Sequence, residues 1–89
     1  MRRPLTDDPL RALLVTLNPG GTWVKSLTLP IPPFPGLGIR LDTYDMVEVI
    51  SVVVGDVRYD VTCFVKPESG ATWTDQTWEK VGFEPGSYP

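Results

Sequence analysis

The stretch that most constrains this chain is Met46 to Lys66, because its side-chain alternation suits only one kind of backbone. Val57, Tyr59, Val61, Cys63 and Val65 fall on one parity, and Arg58, Asp60, Thr62, Phe64 and Lys66 on the other, which is the period of a half-buried strand. Met46 to Val54 is dense in β-branched residues, which fit a pleated surface better than a helix. Gly55-Asp56 between them fits a two-residue type II′ turn, with glycine supplying positive φ at the first central position. The resulting register sets Val54 against Val57, Val52 against Tyr59, Ser51 against Asp60 and Ile50 against Val61, so apolar meets apolar and polar meets polar. Farther along it fails, placing Glu48 inward opposite Cys63, and Val47 and Val49 outward opposite Phe64 and Thr62. Either a bulge near Val49 and Ile50 flips the phase, or Val47, Val49 and Phe64 form a second apolar patch that another part of the chain covers.

The segments before this hairpin also read as β. Arg11 to Leu17 is apolar on both parities, and Asn18-Pro19-Gly20-Gly21 is a turn signal that joins it to Thr22–Ile31, where Trp23, Leu27, Leu29 and Ile31 share a face. Four of the seven residues in Pro30 to Gly36 lack a backbone donor, so this piece cannot lie inside a sheet and reads as a stiff crossing loop. Its proline spacing (Pro30 with Pro33, Pro32 with Pro35) also matches polyproline ligands, but the flanking basic residue such ligands usually carry is missing, which favours the connector. Gly38 to Asp42 is a short strand and Thr43-Tyr44-Asp45 a turn.

After Lys66 the spacing changes. Trp73, Thr77, Trp78 and Val81 recur at helical intervals. Thr74 suits the N-cap, Asp75 the first turn and Gly82 the C-terminal stop, while Trp73 and Trp78 occupy the two positions of a hydrophobic staple. Such a helix is the natural cover for Val47, Val49 and Phe64. Phe83 to Pro89 reads as a polar, turn-rich tail. The organisation expected is an arm over 1–9, a β core over 10–66, and a short helix with a C-terminal arm over 67–89.

Several functions are disfavoured by what the chain lacks. It has no histidine, which removes the commonest general base and every Ser-His or Cys-His pair. Its one cysteine, Cys63, alternates into the core face and has no adjacent base. Asp42, Asp45 and Glu48 form the one carboxylate cluster, but their three-residue spacing at a strand entrance is that of a solvated turn and not of an oxygen-rich cation loop. We therefore expect no enzyme, no cofactor and no metal. No apolar run approaches the ~20 residues that span a bilayer, and the cysteine usage suggests a reducing, cytoplasmic setting. Residues 1–41 carry five basic and two acidic side chains, and residues 42–89 three basic and nine acidic. Apart from an Arg2-Arg3 arm there is no basic footprint, so nucleic acid is disfavoured as a partner, an RNA-binding ring of the Sm type included.

Binding to protein is what remains. Trp73, Trp78, Phe83 and Tyr88 all lie in the last seventeen residues and either cap the core or face a partner, as tryptophan and tyrosine anchors do. With Arg2, Arg3 and Phe34 they form the candidate contact set. The run Leu29 to Leu41 followed by Val47 to Val65 places proline, glycine, a short strand and a long bent hairpin in the order found in SH3-like small barrels, and it resembles small proteins common in phages and bacteria. The resemblance implies architecture: a mainly β, SH3-like barrel or two-hairpin sandwich of about five strands with one short C-terminal helix. The function expected is a non-enzymatic assembly module, a phage structural component of the capsid-decoration or connector type, in the virion or the bacterial host cytoplasm, binding a protein partner or copies of itself. The alternative is an inhibitor of a host defence or nucleic-acid-processing protein, acting through the acidic, aromatic C-terminal half.

Overall fold

A computed structural model describes residues 10–18, 21–55, 58–70 and 72–86. The expected arm over 1–9, and with it Arg2 and Arg3, lies outside the described residues, as does Tyr88. Strands β1 (Leu10–Asn18), β2 (Gly21–Leu29), β3 (Gly38–Arg40), β4 (Met46–Val53), β5 (Val61–Pro67) and β6 (Glu84–Pro85) form one curled, half-barrel sheet in the order β3-β4-β5-β1-β2-β6, with helix α1 (Asp75–Lys80) between β5 and β6. Among the described residues the fold is mainly β with one short helix, as the sequence implies, and it has six strands where about five were expected.

The first hairpin has the expected partners. Asn18 pairs with Gly21 and Leu10 with Leu29. Strand β2 stops two residues short of the expected Ile31, because the prolines begin at Pro30. The crossing loop ends in a turn in which the Leu37 N–H donates to the Phe34 carbonyl at 3.0 Å, with Pro35 and Gly36 (φ 97°) as central residues, the pattern of a type II turn. Strand β3 is shorter than expected because Leu41 already closes the next turn, its N–H donating to the Asp45 carbonyl at 2.8 Å.

The second hairpin needs a correction. Val52 lies opposite Cys63 and not Tyr59, so the register is displaced by four residues and the connection runs from Val54 to Asp60 in place of a two-residue turn at Gly55-Asp56. A displacement by an even number leaves Ser51, Val52 and Val53 on their expected faces against β5, so hydrophobic alternation cannot distinguish the two registers there. The contacts that select this one are non-local. Strand β5 lies parallel to β1, with Ala12 opposite Val61 and Val15 opposite Phe64. At its entrance the Asp60 N–H donates to the Arg11 carbonyl (2.8 Å), while an Asp60 carboxylate oxygen accepts from the Arg11 N–H (2.8 Å).

The break near Val49 is a bulge. Val49 pairs with Val65 and Ser51 with Phe64, leaving Ile50 without a partner. The extra residue carries Val47 and Val49 onto the concave face, where both are fully buried with Val61, Cys63, Val65 and Trp78. Helix α1 therefore covers Val47 and Val49 as expected. Phe64 is not under it, because the bulge leaves Phe64 on the opposite face, half-buried.

Local chemistry fixes α1. The Thr74 hydroxyl accepts from the Thr77 N–H at 3.3 Å, and Asp75 in the first turn also accepts from the Trp23 indole N–H at 3.2 Å, which ties the helix to β2. At the other end the Phe83 N–H donates to the Trp78 carbonyl and the Gly82 N–H to the Glu79 carbonyl, with Gly82 at φ 98°, a Schellman closure. This exit sends Phe83 into the core and Glu84–Pro85 onto β2 as its outer neighbour, so the expected polar tail begins instead as a strand. The core lies on the concave face, roofed by Trp78, Val81 and Phe83. Leu13, Val15 and Thr62, on the other parity, are buried as well.

Candidate functional site

On the convex side of the sheet, Leu17 is 68% exposed and Ile50 52%. Near the bulge they border a groove of ≈ 330 Å³ lined by Val15, Leu17, Ile50, Phe64, Lys66 and Trp73, among others. Three elements build it. The parallel pairing brings Phe64 beside Val15, the bulge turns Ile50 outward, and the residue before the helix cap supplies Trp73. Among the described residues of this lining, Lys66 is the charged one. Such a groove, apolar with one cation at its rim, fits a docked side chain better than a chemical reaction.

The candidate contact residues divide. Phe34 is 51% exposed, and its turn is tied to the bulge by the Gly36 N–H, which donates to the Val49 carbonyl at 2.8 Å. Trp73 is half-buried and lines the groove. Trp78 and Phe83, offered as partner anchors, are interior. Trp78 is fully buried, its ring centroid 4.6 Å from that of Trp73 and 4.9 Å from that of Phe83, so the stack that closes the core removes both from any partner surface. Leu17 and Ile50 escaped the sequence reading. A run apolar on both parities hides which of its residues faces out, and a bulge reassigns faces in a way that simple alternation cannot express.

The acidic cluster is a turn. One Asp42 carboxylate oxygen accepts from the Tyr44 and Asp45 N–H groups, each at 2.9 Å, and Asp45 pairs with Lys80 at 3.3 Å. The Tyr44 N–H bond, followed by that of Asp45, holds the Asp42 carboxyl below its ordinary value. Among the described residues no three metal-ligating side chains come together. Cys63 is buried, and burial pushes its thiol up, toward the unreactive protonated form. No helix among the described residues is long and apolar enough to cross a membrane. Comparison with known protein families, curated proteins and solved structures finds no match to this chain.

Proposed function

We propose that this protein is a non-catalytic, protein-binding assembly module, and that the groove beside the bulge is its docking surface. The observation that carries the reading is the cluster of exposed apolar side chains at Leu17 and Ile50 on a sheet whose core is already filled by Trp78 and Phe83. Exposed apolar groups that a fold does not need for its own packing mark interaction surfaces. The finer form, a repeating phage component of the capsid-decoration or connector type, rests on the resemblance of the Leu29–Leu41 run and the hairpin to small barrels of such sources. The inhibitor reading has less support, since two of the aromatic groups it needs, Trp78 and Phe83, are interior.

The test is to compare wild type with Leu17→Glu and Ile50→Glu in a particle or complex isolated from the source. Both variants should fold, and both should be lost from the assembly that retains wild type in repeated copies. Retention of both variants at wild-type level would overturn the proposal.

A further inference from the structure

The connector between β2 and β3 carries a motif that the docking groove does not use. Residues 30–36 include no charged side chain, and within them Ile31-Pro32-Pro33-Phe34-Pro35 is a pair of apolar-proline dipeptides with one proline between. Each proline fixes its own φ, and each residue that precedes a proline (Ile31, Pro32 and Phe34) is confined to extended or polyproline II backbone. The chain bends at Pro30 and Ile31, then runs unbent through Pro32, Pro33 and Phe34 into the turn at Pro35-Gly36. Both ends are held. Leu29 is paired with Leu10, and at the turn the Gly36 N–H donates to the Val49 carbonyl (2.8 Å) while the Val49 N–H donates to the Leu37 carbonyl (2.9 Å). The segment is therefore a short polyproline stretch, ordered by folding before any partner arrives.

Polyproline II has about three residues per turn, so residues three apart share an edge. Ile31 and Phe34 form one edge and Pro32 and Pro35 the next; all four are exposed, Ile31 at 47% and Phe34 at 51%. The third edge starts at the bend with Pro30 and carries Pro33, which is half-buried and so faces the domain. Among the described residues no hydrogen bond reaches the carbonyls of Ile31, Pro32 and Pro33. Two apolar-proline dipeptides turned outward, with open carbonyls between them, match a groove whose aromatic rings wall a pocket for each dipeptide and whose polar donors meet the carbonyls. The missing basic flank confines the contact to these two dipeptides, so the groove needs no acidic pocket.

We propose that the loop over 31–35 is a ligand for a proline-reading domain of another protein, whose aromatic groove takes Ile31-Pro32 and Phe34-Pro35 and leaves Pro33 untouched. The loop is then both a connector and a recognition element. This surface is separate from the groove at Ile50, and the proposal does not rest on that reading.

NMR titration of a panel of isotope-labelled SH3 and WW domains with the full chain tests the proposal. At least one domain should shift at its groove aromatics, and that domain's own polyproline peptide should displace the chain. Because the loop is uncharged, the affinity should change by less than about twofold between about 0.05 and 0.5 M salt. Pro32→Ala with Pro35→Ala should weaken binding at least about tenfold, and Pro33→Ala by less than about threefold. Should the double variant not fold, Ile31→Ser with Phe34→Ser, at two exposed side chains, should give the same loss. The proposal is overturned if no domain of the panel binds, if the peptide does not displace the chain, or if binding falls steeply with salt. It is also overturned if Pro33→Ala loses as much as the double variant, or if the folded double variant binds like wild type.

Discussion

Trp78 shows how one side chain can be both the strongest packing element and an electrostatic liability. It is fully buried between Trp73 and Phe83, yet its indole N–H has no hydrogen-bond partner among the described residues. Replacing it with alanine should cost ~3–5 kcal/mol in urea or guanidinium unfolding, because the roof over Val47 and Val49 is lost. Trp78→Phe should cost much less, under about 1.5 kcal/mol, since it keeps most of the ring volume and removes an unsatisfied donor. Asp42 makes a prediction of the opposite kind. Its folded pKa is depressed by the Tyr44 and Asp45 N–H groups, so its contribution is present above the unfolded carboxylate value, near ~4, and is lost as pH falls through the folded value. Urea midpoints at pH 7 and pH 3 should therefore differ more in wild type than in Asp42→Ala. An equal pH dependence in both would show that the turn does not use the charge.

At the scale of elements, the parts legible in the sequence were those whose cause is local. Helix α1 was readable to the residue because Thr74, Asp75, Trp73 with Trp78, and Gly82 each act within a few positions of one another. Gly82→Ala should cost ~1–2 kcal/mol, since φ is 98° there and the added methyl would meet the Lys25 ammonium. The bulge was legible as a conflict of parity at Glu48, and it has its own test. Deleting Ile50 would join Val49 to Ser51 with Val49 still opposite Val65 and Glu48 still opposite Lys66, so the alternation becomes unbroken with Val47 and Val49 still inward and the deletion should leave the domain folded, and Ile50→Ala, at a half-exposed position, should change stability by less than about 1 kcal/mol. Two elements were hidden. The β4–β5 register depends on the parallel contact of Val61 with Ala12, which no local pattern carries, and β6 is two residues long with a proline. Pro85 is tolerated because it lies opposite Trp23, whose own N–H and C=O point to β1. The candidate groove was hidden for the same reason as the register: it exists only where β1, β5, the bulge and the approach to α1 meet.

For the molecule as a whole, the order β3-β4-β5-β1-β2-β6 makes the first strand central and joins segments far apart in the chain. Domains dominated by such non-local pairings fold in milliseconds to seconds, and stopped-flow refolding should fall in that range. The placement of β1 also bears on how the protein comes to exist in a cell. Residues 10–29 emerge from the ribosome as a hairpin with one flank of β1 awaiting β5 and no cover over Ala12 and Leu14, and both needs are met only after the segment carrying Trp78 and Phe83 has been made. Through most of synthesis the nascent chain therefore shows a sticky strand margin, so its yield should depend on translation speed and holdase supply more than its finished stability would suggest.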